Sequence, residues 1–308
     1  MKRLLPSLLL VLLAACGSPI ALTATSAPVD ILPGETAAAF TTEPSPSSTL
    51  TPSDTPTGTT MPTETTGIGA SQVSVTDGMT LLYVPAGAFT MGAEDGYSDE
   101  RPVHQVTVSA FWVDQTEVTT GMYAQCEAAG ACRRPARKNS NVIDLYYGSE
   151  RTSSYPVIFI AWQDAVDYCT WVGRRLPMEA EWEKAARGDD ARPYPWGITP
   201  PDGTLLTFDR LTPDPVATGS HPLGASPYGA LDMAGNVMEW TADWYDEAYY
   251  SISPAVDPVG PETGTHRVVR GGSWAYNTMG VRSAHRFIQA PEEPRFDLGF
   301  RCVLSATP

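Results

Sequence analysis

Apolar positions divide this chain into three stretches of different character. Leu4 to Leu13 is an apolar run broken only by Pro6 and Ser7, behind the charged head Met1-Lys2-Arg3. A run of that length is too short to stay in a bilayer as a helix, and with its basic head it predicts a cleaved export signal over residues 1–15. From 17 to 72 apolar residues are sparse and without period, Thr, Ser, Pro, Ala and Gly dominate, and Phe40 is the one aromatic. Such a segment buries too little to offset the entropy of ordering it, so residues 16–72 are expected to form a disordered stalk.

The pattern changes near Asp77. Met79 to Pro85 reads as a strand closed by Pro85-Ala86-Gly87, with Ala88 to Gly92 as its partner, and Val103 to Val108 alternates as a further strand. Apolar residues at 162, 165, 166, 169 and 172 keep a helical spacing that would bury Cys169. A second helix is expected over Met178 to Arg187, with Pro177 near its start, acids in its first turn and Gly188 as its stop. After Gly188 the chain is rich in Gly, Pro and aromatics with little periodicity. That region is expected to be held by side-chain hydrogen bonds, disulfides or metal rather than by regular ladders. The class is α+β with much irregular structure, and residues 73–308, with all eight tryptophans, suit one large domain.

Composition narrows the partners. Lys and Arg number 20 against 35 Asp and Glu, a net charge of −15, which argues against nucleic acid and against a basic membrane-binding face. The stalk has five acids and no Lys or Arg; as a coil it would span roughly 40 Å. Leu13-Ala14-Ala15-Cys16 resembles the lipobox of bacterial lipoproteins. The resemblance implies lipid on the Cys16 thiol, attachment to a membrane through it, and a domain outside the cytoplasm. Four cysteines remain, Cys126, Cys132, Cys169 and Cys302, and an even number in an exported chain favours two disulfides. Three pairings are open.

Six motifs follow one another along the domain: Tyr83-Val84-Pro85-Ala86-Gly87 with Met91-Gly92; Glu117-Val118-Thr119; Arg175-Leu176-Pro177-Met178-Glu179-Ala180-Glu181-Trp182-Glu183; Gly229 to Trp240; Arg270-Gly271-Gly272-Ser273-Trp274; and Gly299-Phe300-Arg301-Cys302. In content and order the set resembles the formylglycine-generating enzymes, or sulfatase-modifying factors. The resemblance implies one domain with a fold akin to C-type lectins. It implies a Cys169–Cys302 bond, which leaves Cys126 for Cys132. One departure is Met178, where the family usually places the Thr of a capping box, a loss of about 1 kcal/mol unless another group bonds those amides.

Two metals come into question. Asp232 and Glu239 flank the turn-forming pair Gly235-Asn236. Such a turn could aim carbonyls between two carboxylates, the hard oxygen set that Ca²⁺ takes. The resemblance implies the same structural calcium site, with side-chain ligands Asp232 and Glu239 and carbonyl ligands Gly235 and Val237. A second family calcium site aligns near Thr207 and is not expected here. Members that make formylglycine hold Cu(I) between two cysteines shortly after Arg-Gly-Gly-Ser, because a soft ion needs thiolates. The aligned positions are Tyr276 and Val281, the histidine that often follows the first is Asn277, and Ser273 is retained. These four residues would be a vestigial active site without copper or catalytic residues. His104, His221, His266 and His285 show no metal-ligand spacing. The expectation is a calcium-stabilised module that binds an extracellular protein, peptide or glycan. The alternative is an oxidoreductase of the formylglycine-generating type acting on exported proteins.

Overall fold

Residues 67–306 are described by the structure, a computed structural model. The signal (1–15), Cys16 and the stalk up to residue 66 lie outside them. The apolar alternation after Asp77 builds Thr80–Val84 (β2). It runs antiparallel to Ser71–Val73 (β1) on one side and to Phe111–Asp114 (β5) on the other, and Val303–Ser305 (β10) closes the sheet in the order β1-β2-β5-β10. Strand β1 starts two residues before the boundary read from composition. It contributes backbone pairing and no buried side chain, so it leaves no trace in an apolar pattern.

The expected hairpin partner of β2 belongs elsewhere. Gly87–Met91 (β3) pairs with His104–Val108 (β4) in a separate two-stranded sheet. Pro85 has no N–H with which to continue the β2 ladder. The carbonyls of Pro85 and Gly87 instead accept from Lys184 Nζ at 2.9 and 2.8 Å, which draws the chain out of the first sheet.

The region after Gly188 also differs from expectation, because it carries a regular ladder. Phe287–Gln289 (β8), Arg267–Arg270 (β7), Met238–Trp244 (β6) and Leu298–Gly299 (β9) form one sheet in that order, with β9 parallel to β6. Its inner strands bury Glu239, Thr241 and Arg270 beside Trp240 and Val269. Glu239 and Arg270 face each other on one side of the sheet and Trp240 and Val269 on the other, so a polar face is buried as fully as the apolar one.

Three helices pack against these sheets. Thr120–Ala128 (α1) starts where Thr119 Oγ1 accepts the Met122 N–H at 3.2 Å. Trp162–Trp171 (α2) and Glu179–Arg187 (α3) fall where the spacing placed them. Gly188 ends α3 with φ of 69°, a conformation that glycine adopts without strain. At the other end of α3 the glutamate half of the capping box is kept, Glu181 Oε2 accepting the Met178 N–H at 2.8 Å, and Asp243 Oδ2 adds a bond to the first helical amide, Glu179 N–H, at 2.7 Å.

Trp182 and Ala185 of α3 pack with Val84, Phe89, Val106 and Phe111 in one core. Tyr123, Tyr168, Trp240 and Phe300 fill a second around the Cys169–Cys302 bond. The other bond joins Cys126 to Cys132, so both pairings are those that the resemblance implied. Buried ion pairs tie the elements together: Arg174 with Asp77 and Asp114, Arg270 with Glu183, Arg286 with Glu179, and Arg282 with Glu100. A buried charge left alone is costly, so each pair fixes where its two segments can sit.

Candidate functional site

The segment Arg270 to Val281 leaves β7 and turns back on itself. Gly271 and Gly272 have φ of 91° and 68°, and a Cβ on Gly272 would lie 2.4 Å from the Gly280 carbonyl oxygen. Only glycine fits. Ser273 Oγ is buried, donates to Asp297 Oδ2 at 3.0 Å and accepts the Ala275 N–H at 3.2 Å. Asn277 closes the next turn, its Oδ1 accepting the Met279 N–H at 3.1 Å.

The two residues aligned with the copper ligands part company. Val281 is fully buried with Leu206, Phe208 and Ala234, in a cluster against which Tyr276 itself packs. Tyr276 lines a cavity of about 430 Å³ together with Tyr97, His285, Phe287 and Arg295. The same four rings, with Asp209 and Asn277, border a neighbouring hollow of about 340 Å³. Their centroids lie 4.6 Å apart for Tyr276 and Phe287, 4.2 Å for Phe287 and His285, and 5.1 Å for His285 and Tyr97. His285 Nδ1 sits 3.2 Å from Glu100 Oε1, whose carboxylate also grips Arg282 at 2.8 and 2.6 Å. Burial pushes the Glu100 carboxyl up, but hydrogen bonds from His285 and Arg282 outweigh it and hold it at about 2. His285 is therefore a ring anchored behind by a permanent anion.

The residues singled out for calcium gather around Arg301. Its Nε and Nη2 hold Glu239 at 2.7 and 2.7 Å, and Trp182 Nε1 donates to the same Glu239 carboxylate at 2.7 Å. Those three bonds occupy three of about four lone-pair positions on a carboxylate. Asp232 Oδ2 accepts the Gly219 N–H at 2.6 Å. Asp232, Gly235 and Asn236 have φ of 57°, 77° and 53°, the tight turn expected between the acids. Glu117 joins them, a residue the sequence placed in a motif but not at a site. Its Oε1 accepts from Asn236 Nδ2 at 3.0 Å, and its buried Oε2 has no partner. Burial, then the charges of Asp232 and Glu239, push the Glu117 carboxyl well up; burial raises that of Asp232. Three carboxylates share one guanidinium here. Among the described residues no group of three or more His, Cys, Asp or Glu side chains is arranged to hold a metal ion. The arrangement fits calcium only with backbone carbonyls in the shell: Asp232, the orphaned Glu117 oxygen, the remaining Glu239 lone pair, and the carbonyls of Gly235 and Val237 would supply hard oxygens. Thr207, aligned with the second family calcium site, bonds His221 Nε2 through its hydroxyl at 2.8 Å.

The family described as sulfatase-modifying factor enzyme 1-like domain matches residues 69–306. The chain belongs to that family. It is 35% identical over 283 residues to a formylglycine-generating enzyme of Thermomonospora curvata, covering 72% of this chain and 92% of that protein. It is also 35% identical over 241 residues to a serine/threonine-protein kinase pkn1 of Chlamydia caviae, covering 72% of this chain and 37% of the kinase. The chain thus spans a little over a third of that relative. Among solved structures, PvdO of Pseudomonas aeruginosa superposes with a TM-score of 0.66 at 26% identity, over 78% of this chain and 99% of PvdO. Treponema denticola variable protein 1 shares the fold, with a TM-score of 0.64 at 22% identity over 77% and 99% of the two chains. Within this sulfatase-modifying factor domain, Ser273, Tyr276 and Asn277 stay together at one loop, and Val281 has been taken into the core.

Proposed function

We propose that this sulfatase-modifying factor domain binds a ligand in the Tyr276 cleft without making formylglycine. The observation that carries the reading is the fate of the two positions aligned with the copper ligands. Tyr276 offers a phenol to the cleft, and Val281 offers a buried isopropyl group to the core. Neither is a soft ligand for Cu(I). Cys126, Cys132, Cys169 and Cys302 are spent in disulfides. The ring-lined cleft suits an extended extracellular segment, whether protein, peptide or glycan. Calcium at Asp232, Gly235, Val237 and Glu239 belongs to the same reading and would order the turn between the two acids. So does tethering through lipid on Cys16, which would hold the domain outside the cytoplasm.

An oxidoreductase of the family's kind is the second reading, favoured by the 35% identity to a formylglycine-generating enzyme over 92% of its length. One experiment separates the two. The purified chain is titrated with Cu(I) against a chromophoric chelator, then incubated with copper, oxygen and a Cys-x-Pro-x-Arg peptide. The expected result is no stoichiometric Cu(I) and no aldehyde by mass spectrometry. Tight one-to-one Cu(I) with aldehyde formation would overturn the binding reading.

A further inference from the structure

A second cavity, of about 590 Å³, opens where Trp162 at the start of α2, Trp244 at the end of β6 and Arg267 at the start of β7 meet Pro291 and Pro294. Nothing in the cleft chemistry uses it. The Arg267 guanidinium carbon lies 3.7 Å from the ring centroid of Trp162 and 3.4 Å from that of Trp244. A guanidinium between two indoles is held by cation–π attraction on both faces and cannot swing out. Its bonding in the ring plane is incomplete. Nη1 donates to the Ala242 carbonyl at 2.6 Å. Nε is buried without a partner, and Nη2 bonds to no described residue.

Nε and Nη2 carry parallel N–H groups on one edge, the fork that matches both oxygens of a carboxylate. Two other arginines of this chain show how that edge is ordinarily closed. Arg301 sets it on Glu239 at 2.7 and 2.7 Å, and Arg286 on Glu179 at 2.7 and 3.0 Å. Arg267 has the same edge and no acid on it. Burial pulls its guanidinium down to about 10, against the weaker pull of Asp243, as expected where an anion is missing. Arg133 and Arg134 stand at the rim of the cavity, each paired with an acid, Arg133 with Asp164 at 2.8 Å and Arg134 with Glu127 at 2.5 Å. The cavity lining carries Arg133, Arg134 and Arg267 against Asp164 and Glu292, a small positive excess in a chain of net charge −15.

We infer that this cavity is a binding site for the carboxylate of an acidic peptide, seated on the Nε–Nη2 edge of Arg267 between Trp162 and Trp244. The bidentate bond fixes the acid on Arg267, which unlike Arg133 and Arg134 has no acid of the described residues on it. Pro291, Pro294 and Ala161 give its methylenes an apolar wall, as a peptide side chain requires.

Calorimetric titration of the full-length chain with the blocked tripeptide acetyl-Ala-Glu-Ala-amide tests this. The glutamate peptide is expected to bind saturably, and its glutamine counterpart about tenfold or more weaker. Arg267→Lys keeps the charge and loses the fork, and the same loss is expected. Ala136→Trp, at an exposed position on the cavity wall, is expected to block the site without touching the core. Absence of saturation by the glutamate peptide, equal binding of both peptides, or undiminished binding by the folded Ala136→Trp chain would each overturn the site. Glucuronate binding more tightly than the peptide would overturn the peptide assignment.

Discussion

A carboxyl from a distant strand caps α3, where Met178 has no oxygen to offer. Asp243 Oδ2 receives the Glu179 N–H, and burial, with the charge of Glu179, raises the Asp243 carboxyl to about 8. Asp243→Ala is expected to destabilise the domain by about 1–2 kcal/mol, the usual worth of a cap. Asp243→Asn, which keeps an acceptor, is expected to lose less. The pH dependence follows in sign. A carboxyl raised on folding contributes stability that is complete below its unfolded value near 4 and fades as pH rises through about 8. Thermal melts should therefore show the wild type losing ground to Asp243→Asn across that window; parallel curves would refute the assignment. That Tyr276 and Val281 carry no thiolate is legible in the sequence; that they stand at the family's copper positions is what the resemblance implies. That Val281 lies in the core was not legible, because its neighbours Leu206, Phe208 and Ala234 are 47 to 75 positions away. Glu117 and Arg267 escaped for the same reason. Their meaning lies in partners brought from far along the chain, or in the partner each lacks.

Helices α2 and α3 were legible because their period and stop signals are local. The β2–β3 pairing was misread because a proline turn between two strands looks like a hairpin until Lys184, a hundred residues on, takes its carbonyls. The β8-β7-β6-β9 sheet is hard to read because β8 and β9 are three and two residues long, and because the alternating polar face of β6, Glu239 and Thr241, is buried and so does not mark a solvent side. The disulfides act at this scale. Cys169 on α2 is joined to Cys302, next to β10, across 133 residues, whereas Cys126 and Cys132 close a span of 6. Loop entropy gives upper values of about 5 and about 2 kcal/mol. Replacing Cys169 and Cys302 together by Ala should lower the urea midpoint by more than twice what the Cys126, Cys132 pair does. Equal shifts would mean that the long bridge is not constraining the unfolded chain.

Across the whole molecule, charge is balanced locally rather than globally. Glu117, Asp232 and Glu239 around Arg301 are one place among the described residues where acids outnumber the base they share. If calcium offsets the excess, EGTA should lower the melting temperature by about 5–10 °C from calcium-saturated conditions. Asp232→Asn should remove that difference, and an unchanged melt with EGTA would remove calcium from the account. The family and the fold were legible from six motifs in order; the cavity at Arg267 was not, since three strand and helix ends build it. The sheet order β1-β2-β5-β10 also has a mechanical meaning. The N-terminal strand is an edge strand, paired to β2 over three positions, Ser71 to Val73, and it buries no side chain. A pull at the N-terminal side of residue 67 loads those few hydrogen bonds one after another, as a zipper is loaded. Past them it meets β2, which stays paired to β5 over four positions. Beyond that, the Cys169–Cys302 bond keeps the 133 residues it encloses from lengthening. The N-terminal strand gives way first, and the sites behind it carry no strain until it has.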